Sequence, residues 1–202
     1  MSDSLRRRAL ARAAARLAAH RPKAVSPLVL MTDDERLADP LAAARALPRG
    51  SMVVVRARDG ARRKALAFAM MAMARRRDLI VLIASDGNLA AACGADGVHL
   101  PEVDLGRAAR ERACHASFFI TASVHSFTAV RRAKNVDAIF LSPIFATESH
   151  LGRAALGAVR ANLIARASCV PVYALGGINP RNAARLSPSS FCGIAAIGAL
   201  DV

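Results

Sequence analysis

The sequence has few aromatic residues, no tryptophan and only three lysines, at positions 23, 64 and 134 of its 202 residues. Arginine therefore supplies most of the positive charge behind a net charge of +14. The basic clusters, such as 6–8 and 75–77, contain no alternating aromatic side chains on which bases would stack. We expect solvated helix faces and no specific nucleic-acid partner, with a positive potential that attracts anionic substrates.

Long apolar runs are also missing from the chain. None reaches the roughly 20 residues that a transmembrane helix requires, and the basic first 20 residues lack the compact apolar segment of a secretory signal. Hydrophobic residues nevertheless make up 54% of the sequence, which excludes intrinsic disorder. We expect a soluble cytoplasmic protein with no membrane partner.

The four cysteines are isolated, at positions 93, 114, 169 and 192. None forms a CxxC motif, and none is paired with a histidine at metal-binding spacing. This distribution excludes a disulfide scaffold and favours buried thiols in a reducing compartment.

Eight short apolar runs alternate with segments of helical spacing. The runs occupy residues 28–31, 52–55, 79–84, 97–100, 118–122, 138–141, 170–174 and 193–197. Continuous apolar runs are typical of strands buried on both faces of a parallel sheet. Eight such units predict an α/β fold, a compact (β/α)8 TIM barrel over residues 26–202. The alternative, an open doubly wound sheet, usually has a glycine-rich turn after its first strand, which this chain lacks.

Helices are predicted between the runs and before the first one. The internal segments are 35–46, 61–76, 86–93, 104–114, 126–134, 155–166 and 180–186. Few residues follow the last run, so the eighth helix is expected to be truncated or missing. A basic helix in residues 1–25 is predicted as an additional element that covers the resulting seam of the barrel. A homodimer is a second way to cover apolar surface there.

Candidate functional residues follow directly after the strands, because the active site of such a barrel lies at the carboxyl ends of its strands. Arg56 and Arg58 follow the second run, and their spacing places both on one side of an extended backbone. Two guanidinium groups suit a diphosphate. The alternative is an ordinary ion pair with the adjacent Asp59.

Two carboxylates follow the third and fourth runs, at Asp86 and Asp104. Mg²⁺ is usually held by one or two carboxylates together with substrate phosphates, so both are candidate metal ligands. The alternative for each residue is a helix N-cap, and the two roles are compatible.

The fifth and sixth runs are followed by groups suited to proton transfer and ligand closure. Ser123 and His125 follow the fifth run, and a histidine at this place can act as an acid, a base or a hydrogen-bond donor. A hydroxyl-rich loop with Thr147, Ser149 and His150 follows the sixth run and is long enough to fold over a ligand.

Glycines follow the last two strands. Gly176 and Gly177 follow the seventh run, and Ile197 and Gly198 end the eighth. Backbone amides in these two loops form the recurrent phosphate site of such barrels, although a glycine pair also fits a simple turn. The residues together predict a barrel that binds a phosphorylated small molecule.

Five sequence motifs resemble the thiamine phosphate synthase family, which includes a branch of thiazole tautomerases. They are GADGVHL (94–100), SVHS (123–126), SPIFATESH (142–150), ALGGI (174–178) and GIAAIGAL (193–200). Their order and spacing match from about residue 28 to the C-terminus, whereas the first 25 residues are not covered.

The resemblance implies a transferase of thiamine biosynthesis. Such a synthase joins hydroxymethylpyrimidine diphosphate to thiazole phosphate and releases diphosphate, aided by Mg²⁺ and basic residues. The alternatives are a thiazole tautomerase-like isomerase, with a histidine as the proton carrier, and a catalytically degenerate barrel that only binds a phosphorylated ligand. The expected partners are phosphorylated pyrimidine and thiazole small molecules.

Some positions match the family pattern and others depart from it. Ser123 matches a serine of the family, Asp104 matches the second metal carboxylate, and Asp86 matches the first with one residue of slack. After the second strand the pattern Gln-x-Arg-Glu-Lys is changed: the glutamine is lost and Arg58 replaces the lysine. His150 replaces a lysine.

Gly198 replaces a serine of the family pattern after the eighth strand. The exchange of lysine for arginine preserves charge but not shape, and histidine in place of lysine makes the charge depend on pH.

Overall fold

The computed structural model describes residues 3–19, 26–147 and 154–201. Eight parallel strands form a closed barrel in which β8 returns to pair with β1, with Leu28 opposite Ile194. The strands are β1 (Leu28–Met31), β2 (Met52–Val55), β3 (Ile80–Ala84), β4 (Gly97–Leu100), β5 (Phe119–Val124), β6 (Ala138–Leu141), β7 (Val172–Leu175) and β8 (Gly193–Ala196). The (β/α)8 prediction is confirmed.

The helices on the outside of the barrel follow the predicted order. They are α1 (Asp3–Ala18), α2 (Pro40–Arg45), α3 (Gly60–Arg77), α4 (Gly87–Cys93), α5 (Ala108–Cys114), α6 (Phe127–Arg132) and α7 (Ala158–Arg166). The helix predicted over 180–186 is wrong in type, because the segment between β7 and β8 contains only the 3-10 helix Ala183–Arg185. Up to residue 201, where the described chain ends, β8 is followed only by the short 3-10 helix Gly198–Leu200, which agrees with the prediction of a truncated eighth helix.

The additional helix α1 covers the seam of the barrel. It packs against β8 and β1 and buries Leu10, Ala14 and Leu17. The Arg16 Nη2 atom donates hydrogen bonds to the carbonyl oxygens of Ala183 and Leu186, at 3.0 and 2.9 Å. The helix therefore lies where the eighth helix of a complete barrel would lie.

Strand alternation separates two apolar layers. Val29 and Met31 point into the barrel, where they join the aromatic rings of Phe140 and Tyr173. Leu28 and Leu30 point outward and pack with the surrounding helices. The barrel interior is thus filled by side chains, and a ligand site can form only above this filling, at the ends of the strands.

Two element boundaries and the exposure of two cysteines differ from the sequence predictions. β5 continues to Val124, so Ser123 lies within the strand rather than after it. Asp104 does not cap a helix but lies inside the 3-10 helix Glu102–Arg107. Cys114 and Cys169 are exposed rather than buried, and none of the four cysteines is part of a disulfide between described residues. Within the ranges that the structure describes, no helix has the length and apolar character needed to cross a membrane.

Candidate active site

A cavity of about 420 Å³ lies at the carboxyl ends of strands β1 to β5. Its walls combine ionic residues from the first loops with polar groups from β3, β4 and β5. The lining residues are Met31, Asp33, Asp34, Glu35, Arg56, Ala57, Arg58, Arg63, Ala84, Ser85, His99, Pro101 and Ser123. The cavity occupies the end of the barrel at which the sequence analysis placed the chemistry.

Asp33 and Arg56 form the innermost ion pair of the cavity, with 2.5 Å between Asp33 Oδ2 and Arg56 Nη2. Arg36 binds the same carboxylate through Nε and Nη2, at 3.1 and 2.7 Å. Burial raises the pKa of Asp33, but the Arg36 hydrogen bond, the Glu35 amide and the charges of Arg36 and Arg56 lower this pKa to about 2. The carboxylate is therefore ionised at neutral pH and neutralises Arg56.

Arg58 is paired in a similar way at the rim. Its Nη1 atom lies 2.6 Å from Glu35 Oε1, and its backbone amide donates to Asp34 Oδ2 at 2.8 Å. The ion pair with Asp59 considered in the sequence analysis is not formed, because Asp59 caps α3. Arg56 and Arg58 both line the cavity, as a diphosphate clamp requires, but an anionic ligand must compete with carboxylates for each of them.

Arg63 is a third cavity arginine, and the sequence analysis missed it. It lies in the first turn of α3, four residues after the Asp59 cap, so the helix geometry carries it back over the end of β2. Its Nη1 donates to the Ala57 carbonyl at 3.3 Å, and its Nη2 lies 3.7 Å from Asp86 Oδ2. The sequence feature that could have identified Arg63 as a cavity residue is a basic residue one turn into a helix that follows a barrel strand.

The two predicted metal carboxylates have other partners. Asp86 caps α4 by accepting a hydrogen bond from the Leu89 amide at 2.9 Å, and its second oxygen faces Arg63. Asp104 pairs with Arg107 at 3.1 Å. Neither lines the cavity, and in the described ranges no three His, Cys, Asp or Glu side chains converge as a metal site would require. These donors do not fit a two-carboxylate magnesium site in this arrangement.

A buried histidine forms part of the cavity floor beside Ser123. The His99 ring lies 2.8 Å from Thr121 Oγ1 through Nδ1 and 2.9 Å from Ser123 Oγ through Nε2. Burial, and to a lesser extent the charge of Arg56, lowers the pKa of His99 to about 3, so the ring is neutral at physiological pH. His99 lies in the motif GADGVHL, but no functional role was predicted for it from the sequence. The sequence feature that could have identified it is a lone histidine inside an otherwise apolar strand.

His125 is fixed beside the start of the β6 loop. Its Nδ1 atom lies 2.8 Å from the Ser142 carbonyl oxygen and 3.1 Å from Ser142 Oγ. A carbonyl only accepts, so Nδ1 carries a proton. The residue does not line the cavity described above. Thr147 ends the described part of this loop, whereas Ser149 and His150 lie outside the described residues.

The glycine pair after β7 holds the β6 loop in place. The carbonyl oxygen of Gly176 accepts a hydrogen bond from the Phe145 amide at 3.0 Å. Gly177 has a φ of +64°, and a Cβ there would lie 2.6 Å from the Phe145 oxygen and closer still to that of Ala146. Both glycines are therefore required by the loop packing, a role that the phosphate prediction did not include. Ile197 and Gly198 lie at the end of β8, on the opposite side of the barrel from β4.

Comparisons with known proteins agree on one family. The family model described as thiamine monophosphate synthase matches residues 28–200. The thiamine-phosphate synthase of Chlorobium luteolum is 32% identical over 181 residues, covering 87% of this chain and 85% of that protein. The thiamine-phosphate synthase of Histophilus somni is 31% identical over 146 residues, covering 68% of this chain and 64% of that protein.

Other matches are shorter, and the structural similarity extends over most of the barrel. The chain spans 61% of the putative thiamine-phosphate synthase 2 of Aquifex aeolicus and 55% of the Methanoculleus marisnigri enzyme, less than two thirds of either. The thiamine phosphate pyrophosphorylase of Pyrococcus furiosus shares the fold, with a TM-score of 0.67, 23% identity and 84% coverage of both chains. Since the family model and the Chlorobium relative both cover nearly the whole barrel, the chain belongs to the thiamine monophosphate synthase family.

Proposed function

We propose that the protein joins hydroxymethylpyrimidine diphosphate to thiazole phosphate and releases diphosphate. The observation that supports this most is the cavity at the ends of β1 to β5, which three arginines and Ser123 line together. In the reaction, the bond between the pyrimidine methylene carbon and the diphosphate oxygen breaks, and both electrons leave with the diphosphate. The thiazole nitrogen supplies the electron pair of the new bond to that carbon.

The arginines act on the leaving group. Negative charge develops on the bridging oxygen as the carbon–oxygen bond breaks, and preorganised cations near that oxygen lower the barrier. Arg56 and Arg58 are held by Asp33 and Glu35 before the substrate arrives. Diphosphate binding must therefore weaken these two ion pairs.

Ser123 acts on the pyrimidine. Its hydroxyl lines the cavity and is held by His99, so it offers one oriented hydrogen bond to a polar edge of the ring. His99 stays neutral and adds no charge that would oppose the cationic carbon formed as diphosphate departs. The thiazole phosphate is assigned to the loops after β7 and β8, with Gly176, Gly177, Ile197 and Gly198, and to Thr147 of the β6 loop.

A second candidate activity is supported by His125. Its Nδ1 proton is donated to the Ser142 carbonyl, which gives the ring a defined orientation as a candidate acid–base group. Such a group suits the movement of a proton on a carboxylated thiazole phosphate. This tautomerase reaction needs no diphosphate-binding arginines.

The test is product formation by the purified protein with both substrates, followed by mass spectrometry. Thiamine phosphate should form, Ser123→Ala should lower the rate at least tenfold, and Ser117→Ala, an exposed serine away from the cavity, should not. Isomerisation of the carboxylated thiazole that is lost in His125→Asn, without thiamine phosphate, would support the tautomerase instead. If neither product forms, both proposed activities are contradicted, and the remaining interpretation is a barrel that only binds a phosphorylated ligand.

Two further properties belong to the proposal. A cytoplasmic location is supported by the lack of a disulfide among the cysteines of the described residues, as is usual in a reducing compartment. A homodimer is supported by Phe127, Val159 and Leu163, which are exposed apolar side chains on the neighbouring helices α6 and α7. The earlier reason for a dimer, an uncovered seam, is wrong because α1 covers it. Sedimentation of the Leu163→Glu variant against the wild type tests this surface.

A further inference from the structure

We propose that Arg63 is the main anion-binding residue of the cavity and that it holds a diphosphate without a bridging metal ion. The inference rests on the proposed function for the identity of the ligand. In this proposal the Arg63 guanidinium supplies the positive charge that Mg²⁺ was predicted to supply.

The three cavity arginines differ in how closely carboxylates neutralise them. Arg56 and Arg58 are neutralised by carboxylates at 2.5 and 2.6 Å. Arg63 Nη2 lies 3.7 Å from Asp86, beyond hydrogen-bond distance. An anion entering the cavity therefore meets the least neutralised positive charge at Arg63.

The Arg63 side chain is loosely bonded. It is 24% exposed, and its hydrogen bond to the Ala57 carbonyl is a long one of 3.3 Å. Its Nε atom is buried and has no hydrogen-bond partner in the described part of the chain. A guanidinium with an incomplete set of partners reorients toward a ligand at little cost, and the ligand supplies strong charge-assisted bonds.

Asp86 faces Arg63 without being part of the cavity lining. The carboxylate caps α4, and its Oδ2 atom lies 3.7 Å from Arg63 Nη2. It acts in this arrangement as a counter-ion that orients Arg63, and it is not a metal ligand. Removing its charge should therefore strengthen anion binding, whereas removing the charge of a metal ligand weakens it.

These opposite expectations define the experiment, which is calorimetric titration with inorganic pyrophosphate, in excess EDTA and in excess Mg²⁺. The wild type should bind in EDTA. Arg63→Met should weaken binding about tenfold or more, and Arg63→Lys should restore part of the loss because it keeps the charge but not the bidentate geometry. Arg76→Met, exposed at the far end of the same helix, should bind as the wild type does. Asp86→Asn, which still caps a helix, should bind at least as tightly.

Two results would overturn the inference: unchanged affinity in Arg63→Met, or binding that requires Mg²⁺ and is lost in Asp86→Asn. Circular dichroism of each variant confirms that it is folded. The results also distinguish a failure of this inference from a failure of the proposed function. Arg63-dependent pyrophosphate binding without thiamine phosphate formation would remove that function and keep the anion site, whereas thiamine phosphate formation with unchanged Arg63→Met affinity would remove only the anion site.

Discussion

His99 Nε2 and Ser123 Oγ lie 2.9 Å apart, and this contact connects the buried interior of the barrel to the cavity. The neutral ring has one N–H, while Thr121 Oγ1 lies 2.8 Å from its other nitrogen. One hydroxyl therefore donates to the ring and the other accepts from it. The arrangement fixes the Ser123 hydroxyl at the cavity surface without placing a charge there.

The neutrality of His99 predicts how stability depends on pH. Its pKa is about 3 in the folded protein and near 6.5 in the unfolded chain, so the unfolded chain binds an extra proton between these values. The free energy of unfolding should fall as the pH drops, by about 1.4 kcal/mol per unit between roughly pH 6 and 4 from this residue alone.

Urea unfolding at several pH values measures this slope. His99→Asn should flatten it, whereas His115→Asn, a partly exposed histidine, should leave most of it. Asp33 does not interfere, because its pKa is lowered from 3.8 to about 2 and its contribution is lost only below that window. Equal slopes in the wild type and His99→Asn would show that the buried ring is protonated in the folded state.

Removing the charge of Glu35 should increase the affinity of the cavity for an anion rather than decrease it. Its carboxylate neutralises Arg58 at the rim of the cavity, where both side chains are well exposed, so the interaction is worth at most about 1 kcal/mol. Glu35→Gln should therefore tighten pyrophosphate binding by about two- to fivefold. Asp78→Asn removes the same charge in the turn between α3 and β3, outside the cavity lining, and should not. Weaker binding in Glu35→Gln would mean that the ion pair positions Arg58 rather than competing for it.

Leu10 tests whether α1 substitutes for the eighth helix. Its side chain is fully buried between α1 and the barrel, so Leu10→Ala should lower the free energy of unfolding by about 2–5 kcal/mol. Leu163→Ala, on the exposed face of α7, should cost far less. A thermal or urea titration compares them, and similar small losses would show that α1 is not part of the folded unit.

Gly177 tests the packing of the β6 loop. Alanine there would have both a positive φ and a Cβ in collision with the loop carbonyls, whereas Gly50 has a φ of +74° with open space around it. Gly177→Ala should therefore destabilise the protein by about 2 kcal/mol or more and Gly50→Ala by about 1 kcal/mol. Proteolysis should cut the β6 loop faster in the first variant. Equal losses would show that the backbone strain alone matters.

Sequence periodicity was enough to predict the barrel because buried parallel strands are continuous apolar runs, and all eight were placed within two residues. The predicted cavity residues Arg56, Arg58 and Ser123 do meet at one end of the barrel. Their partners were not predictable. The contacts of Asp33 with Arg56 and of His99 with Ser123 join residues more than 20 positions apart, and only the register of the closed sheet brings them together.

The glycines show a related limit. A glycine pair after a strand indicates a tight approach of the backbone, but the sequence does not say what approaches. At Gly177 it is the β6 loop. For Asp86 the sequence predicted two compatible roles, a helix cap and a metal ligand. The structure shows the cap and also places Arg63 opposite the carboxylate, a contact that spacing alone does not indicate.

The most direct test of the account is the release of diphosphate from hydroxymethylpyrimidine diphosphate, measured with and without thiazole phosphate, in the wild type and in Ser123→Ala. The account predicts release that depends on thiazole phosphate, is matched one to one by thiamine phosphate, and falls at least tenfold when the serine hydroxyl is removed. Release of diphosphate at the same rate in Ser123→Ala, or no release by the wild type with both substrates present, would contradict it.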